Sequence, residues 1–144
     1  MNDVLVETVR RLDGDVYLQT HSTNPLLTAG SIERAIHAFF DSPGSHDSVF
    51  SVTPRHARFW TTAGQPVNHD PSQLCRTQDL SPLLEENSCL YIFRGADLVR
   101  RRNRIGERPL MFEIDAQEAW DIDEEIDFRV AEFLFLSEGD TAAR

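Results

Sequence analysis

At 144 residues, 40% of them hydrophobic, the chain is one domain or a large piece of one, with enough apolar content for a core. Its formal net charge of −10 argues against a general nucleic-acid or membrane surface, since both partners are polyanions, yet leaves room for a small anionic ligand at a local basic patch. All 14 basic residues are arginine, which excludes any step that needs a lysine, such as a phosphate-loop lysine or a Schiff base.

Residues Met1 to Leu5 have neither the basic start nor the long apolar run of a signal peptide, and no stretch approaches a membrane span, so the expectation is a cytoplasmic protein. Val4, Leu5, Val9 and Leu12 space a short amphipathic helix, which Asp13-Gly14-Asp15 ends. Asp15 to Thr20 has the β-branched and aromatic content of a buried strand. The polar run His21 to Pro25 follows, and Ser31 opens a helix whose apolar face is Ile32, Ala35, Ile36, Phe39 and Phe40. Asp41-Ser42-Pro43-Gly44 ends that helix. Strand, polar loop and helix make half of a βαβ unit. In open α/β sheets ligands sit at the carboxyl ends of strands, so Gln19 to Asn24 are site candidates by position, with a hydrogen-bonded turn as the plainer alternative.

Ser48 to Val52 reads as the next strand, and Arg58–Thr61 with Pro66–Asn68 as a hairpin across Ala63-Gly64. The polar stretch from Asn68 to Gln78 has little periodicity, and a loop of that length tends to be functional or to meet a partner. Ser88 to Phe93 is a strong buried strand, Ala96 to Arg102 a short helix, and Leu110 to Ile114 a last strand. Six arginines fall between Arg94 and Arg108, and eight acids follow from Glu113 to Asp127. The arginines are suited to hold phosphate or a sugar carboxylate, or to pair with the acids as a solvated face. Cys75 and Cys89 lack metal-ligand spacing and read as core or near-core thiols of a reducing compartment.

The last stretch, Trp120 to Phe128, concentrates five carboxylates between Asp121 and Asp127. Ile122, Ile126, Val130, Phe133 and Leu134 then repeat at the spacing of one buried helical stripe, before a frayed tail over 137–144. Asp121 and Asp123, one residue apart on a turn, can both reach one hard cation such as Mg²⁺. Acids at a helix start also cap free N–H groups and complement the helix dipole, and both readings stay open on spacing alone. A calcium loop does not fit, because its glycine and ligand spacing are missing.

Four blocks stand out: Leu18-Gln19 with Thr23-Asn24-Pro25-Leu26-Leu27; Arg76-Thr77-Gln78-Asp79-Leu80; Glu86-Asn87-Ser88-Cys89-Leu90-Tyr91-Ile92; and Asp121-Ile122-Asp123-Glu124-Glu125-Ile126-Asp127. In this order they resemble the motifs of the acylneuraminate cytidylyltransferases, also called CMP-sialic acid synthetases. The resemblance implies a three-layer α/β/α, Rossmann-like nucleotidyltransferase fold with a hairpin or arm insertion at about 54–88. It implies Mg²⁺-dependent transfer of CMP from CTP to a sialic-acid-like sugar, releasing pyrophosphate. Asp121 and Asp123 would be catalytic through the metal. Gln19 or His21, Thr23, Asn24, Arg76, Gln78, Asn87 and Tyr91 would line the sugar pocket or support it, Tyr91 serving equally well as a core strand tyrosine. A homodimer through the arm is expected, with small-molecule substrates and no nucleic-acid or membrane partner.

Two departures stand against that pattern. The family's first strand and its Ala-Arg-Gly-Gly-Ser-Lys loop, which holds the triphosphate, have no counterpart here, and Glu124 stands where threonine is usual. Residues 1–144 would then be roughly the C-terminal two-thirds of one cytidylyltransferase domain, truncated at the N-terminus. The alternative is a non-catalytic remnant, or a sugar-acid-binding or interaction domain.

Overall fold

The computed structural model of the chain describes residues 2–41, 44–73 and 75–142, with side chains described up to residue 137. Its elements are α1 (Asn2–Arg11), β1 (Val16–Thr20), α2 (Ala29–Phe40), β2 (Ser48–Arg55), a 3-10 turn (Thr77–Asp79), β3 (Leu83–Arg94), α3 (Gly95–Arg101), β4 (Pro109–Glu113) and α4 (Glu125–Ala142). The helix end placed at Ser42-Pro43 lies outside the described residues.

The four strands form one mixed sheet in the order β1-β3-β2-β4. β3 runs antiparallel to both β1 and β2, while β4 runs parallel to β2. β1, β2 and β4 therefore point one way, with β3 running against them. This is a mixed, Rossmann-like α/β arrangement, and α2 carries the chain over β3 from β1 to β2.

Cys89 to Phe93 are buried on both sides of the sheet, which is why they form a continuous apolar run rather than an alternating one. On one face Leu90 and Ile92 meet Val49 and the α2 residues Ala35 and Phe39. On the other, Tyr91 and Phe93 meet Val6 of α1 and Leu98 of α3, with Tyr17, Phe50 and Ile105 at the margin. Each large side chain so buried stabilises the fold by about 1.5–3 kcal/mol. Gly95 belongs to this second layer: a Cβ there would stand 2.6 Å from Tyr17 Cε2 and 2.8 Å from Val9 Cγ1.

Several boundaries differ from the sequence expectation. α2 begins at Ala29 rather than Ser31, because the Thr28 hydroxyl caps it by accepting the Ser31 amide at 3.2 Å. β3 begins five residues earlier than expected, and its added half pairs with β2 from Val52 to Arg55. The hairpin is reduced to a single bridge, Trp60 with Pro66, closed by Gly64 at φ 77°. α4 continues to Ala142, past the expected fraying point at Ser137; Ala143 and Arg144 lie outside the described residues.

The α4 stripe is corrected in part: Ile122, Val130 and Leu134 are partly buried as expected, but Ile126 and Phe133 are not. Ile126 and Phe133 are 60% and 71% exposed, and the side that meets the domain is Asp127, Val130, Ala131 and Leu134. The physical reason is the polar anchoring of the helix start. Asp127 reaches back to accept the amides of Asp123 and Glu124, and Trp120 Nε1 donates to the Asp127 carbonyl at 3.1 Å. That turns the helix so that Asp127, not Ile126, faces inward.

Between the two layers Asp47 holds the loop from Arg102 to Arg108. Its carboxylate accepts Arg101 Nη1 at 2.9 Å and the amides of Glu107 and Arg108 at 2.9 and 3.0 Å. Burial pushes the Asp47 carboxyl up, but the hydrogen bonds from Arg101 and those two amides outweigh it and hold the group below its ordinary value of 3.8. A carboxylate with a depressed native pKa contributes stability above its unfolded pKa and loses it as pH falls through the native one. Asp47→Ala is therefore expected to lower unfolding free energy by about 2–3 kcal/mol at pH 7. Urea unfolding at pH 7 and at pH 3 tests this. The gap between wild type and variant should narrow at the lower pH, and a gap of equal size at both would contradict the assignment.

Candidate functional site

Because β3 opposes its neighbours, its amino end lies at the same sheet edge as the carboxyl ends of β1, β2 and β4. A cleft of about 460 Å³ opens there. β2 lends it Arg55, β3 lends Glu85, Glu86, Asn87 and Ser88, and the segment after β4 lends Trp120, Asp121, Asp123 and Asp127.

The edge is shaped by a bulge. Phe50 pairs with Tyr91 and Val52 with Glu86, so Ser51 alone faces the four residues from Asn87 to Leu90. The Ser51 hydroxyl donates to Asn87 Oδ1 at 2.6 Å and accepts the Leu90 amide at 2.9 Å. Asn87 Nδ2 donates to Thr53 Oγ1 at 2.9 Å, and Ser88 takes a left-handed φ of 61°. Ser51 and Thr53 are almost fully buried, and this network satisfies them. Asn87 thus touches the cleft while most of its hydrogen-bonding capacity holds the bulge.

The turn after β1 is tied to the acidic segment. The Ile122 amide donates to the Thr23 carbonyl at 2.9 Å, and Asn24 Nδ2 donates to the Trp120 carbonyl at 3.3 Å. Asn24 is 5% exposed, and its Oδ1 is buried without a partner among the described residues. Two stretches far apart in sequence are thereby fixed side by side.

Five carboxylates and one guanidinium line the cleft, and three of the carboxylates are committed. Glu85 pairs with Arg55, Glu86 accepts the Tyr91 hydroxyl, and Asp127 holds the helix start. Asp121 and Asp123 are left, with no hydrogen bond or ion pair to either carboxylate among the described residues. Asp121 Oδ1 is moreover buried and unpartnered. A carboxylate oxygen in that condition is costly unless a cation meets it. Among the described residues no group of three or more His, Cys, Asp or Glu is placed to hold a metal ion. A cation here would take two protein carboxylates and draw its other oxygens from substrate and water, which suits Mg²⁺ better than a closed protein cage.

Gln19 and His21, offered by the sequence as alternatives, lie together: Gln19 Nε2 meets His21 Nε2 at 2.9 Å. His21 also lies near the Tyr91 ring, at 6.4 Å between centroids. Tyr91 is fully buried as a residue, and its hydroxyl serves Glu86 and Ser88. Of the expected site residues, Asn87, Asp121 and Asp123 line the cleft, whereas Gln19, His21, Thr23, Asn24 and Tyr91 lie outside its lining. Arg76 and Gln78 do not line it either: both are exposed around the 3-10 turn, where Arg76 pairs with Asp79 at 2.9 Å. The sequence did not single out Arg55, Glu86 or Trp120. Glu86 adjoins Asn87 in a motif, but only the bulge turns it toward the acids.

No protein-family model matches the chain. It is 32% identical over 87% of its length to N-acylneuraminate cytidylyltransferase of Oncorhynchus mykiss and 30% identical over the same share to N-acylneuraminate cytidylyltransferase A of Danio rerio. It is 23% identical over 93% of its length to post-translational flagellin modification protein B of Campylobacter coli. The chain spans 30% of the length of the two fish proteins and 59% of the bacterial one. The resemblance carried by the four motifs is thus shared along most of this chain.

Cys75 is exposed, contrary to its expected place in or near the core, because it lies on the outer loop. Cys89 is buried beneath the cleft, and burial, with Asp121 and Glu118 nearby, pushes its thiol up to about 12. One thiol per chain should therefore react with iodoacetamide at pH 8 in the native protein and two in urea. Mass mapping of the native label to Cys89 would refute the placement.

Proposed function

We propose that the chain supplies the metal-binding and sugar-facing side of a cytidylyltransferase that moves CMP from CTP to a sugar acid of the neuraminate type and releases pyrophosphate. The observation that carries this is the partition of the cleft: among five carboxylates, Asp121 and Asp123 alone are uncommitted, at the sheet edge where α/β folds take ligands. The fish relatives' names give the reaction class.

In this proposal the sugar's anomeric hydroxyl attacks the α-phosphorus of CTP and pyrophosphate leaves. Asp121 and Asp123 would hold Mg²⁺, which supplies neutralisation of charge on the phosphates. The other acids keep polyanions out of an unmetallated cleft, because their field repels phosphate. Glu86 and Ser88 fix the Tyr91 hydroxyl, and Gln19 and His21 present polar edges where the sugar would lie. The arm carries exposed Trp60, Val67, Leu83 and Leu84, apolar surface that suits contact with a second copy in a homodimer.

A second reading takes the bonded pair Gln19 and His21, 2.9 Å apart, as a sugar site that serves no nucleotide. The chain would then bind a sugar acid without transferring CMP. Pyrophosphate release from CTP and N-acetylneuraminate, with and without Mg²⁺, separates the two. Transfer predicts Mg²⁺-dependent release that falls by at least about 100-fold in Asp121→Asn and in Asp123→Asn. Activity preserved in the double variant would sink the metal assignment. Sugar binding with no calorimetric CTP–Mg²⁺ binding and no release would favour the second reading.

A further inference from the structure

Of the six arginines between Arg94 and Arg108, three are committed to carboxylates: Arg100 to Asp97, Arg101 to Asp47 and Glu107, and Arg102 to Asp3. Among the described residues the other three have no carboxylate within ion-pairing distance: Arg94 is exposed over the Phe39 ring, Arg108 is exposed and donates to the Gly44 carbonyl at 2.7 Å, and Arg104 is half-buried. Of these three, Arg104 has its guanidinium closest to a buried ring. That group lies over the Tyr91 ring, 3.4 Å from its centroid, and Nη1 donates to Gln19 Oε1 at 3.0 Å. A guanidinium carries five N–H donors, so one bond to Gln19 leaves most of them unspent.

The support behind Arg104 is hydrogen-bonded and packed at several points. Its loop is held by the Asp47 bonds to the Glu107 and Arg108 amides, by Gly106 N donating to Ser48 Oγ at 2.8 Å, and by Ile105, which packs with the α1 and α3 layer. Stacking on an aromatic face fixes the plane of a guanidinium and leaves its edge to recognise a ligand. The cation is therefore ordered before any ligand arrives, which lowers the entropic cost of binding.

We infer that Arg104 is an oxyanion receptor that takes the carboxylate of an acidic sugar, with Tyr91 and Gln19 holding the guanidinium in position. The identity of the sugar rests on the function proposed above; the receptor itself rests on this geometry. One planar fork matches one carboxylate edge to edge. A triphosphate asks for more positive charge than one arginine supplies, and Glu86, on the hydroxyl of the same tyrosine, disfavours a polyanion. Arg104 touches Gln19, one of the two alternatives the resemblance offers for a sugar contact, and Tyr91, which it offers as pocket lining or support.

Calorimetric titration of the full chain tests this with N-acetylneuraminate, its methyl ester, inorganic phosphate and CTP in separate arms. Arg104→Leu should weaken binding of the acid by about 10- to 100-fold, and Arg104→Lys by less, since an ammonium keeps the charge but not the fork. The methyl ester should bind wild type about as weakly as the acid binds Arg104→Leu, and should not respond to that substitution. Arg100→Ala, an exposed arginine change elsewhere, should bind like wild type. Equal affinity of wild type, Arg104→Lys and Arg104→Leu for the acid overturns the inference, as does wild type that binds ester and acid alike or fails to bind the acid. A loss confined to phosphate or CTP overturns the carboxylate assignment. Arg104-dependent binding of the sugar acid without pyrophosphate release upholds the receptor while refuting CMP transfer, so the two failures are distinguishable.

Discussion

The structure depends on one strand, β3, running against its neighbours through the middle of the sheet. Cys89 to Phe93 are buried on both faces, so this segment anchors the α2 layer on one side and the α1 and α3 layer on the other. Its direction also sets the site. An antiparallel central strand brings its amino end, with Glu85 to Ser88, to the edge where three strands finish. A parallel strand there would have delivered its carboxyl end and a different set of side chains.

The bulge at Ser51 converts that topology into a polar cleft. A regular ladder through residues 86–91 would alternate side chains in and out of the core. The extra residues turn Asn87 back onto Ser51 and Thr53, which satisfies two buried hydroxyls, and leave Glu86 to accept the Tyr91 hydroxyl. Buried polar groups are tolerated when fully bonded, and this network meets that condition. Against such satisfied neighbours, the unpartnered oxygens of Asp121 and Asn24 stand out. Both lie on the two segments that the Thr23–Ile122 and Asn24–Trp120 hydrogen bonds join.

Charge is partitioned in the same manner. The arginines from Arg100 to Arg102 neutralise acids brought near by the fold and so serve cohesion, while Arg104 is spared and stacked. In sequence these residues form one basic run, and nothing in their spacing separates them. The exposed apolar side of α4, with Phe133, Phe135 and Leu136, follows from another local choice, the Asp127 cap that rotates the helix.

Much was legible in the sequence by itself, wherever the cause is local. Apolar periodicity placed the helices and strands, because the faces they bury repeat at 3.6 or 2 residues. The acidic turn was legible as a turn, since Asp121 and Asp123 stand one residue apart ahead of a helix, while spacing alone left capping and cation binding both open. Tertiary structure alone decided the direction of β3, the bulge, the approach of Gln19 and His21 to Tyr91, and the exposure of Arg76 and Gln78. It also decided which carboxylates of the cleft and which arginines of the basic run find no ionic partner among the described residues. Those outcomes depend on pairings between residues tens of positions apart, for which neither spacing nor propensity carries a signal, because each is settled by competition among partners that only the folded chain brings together.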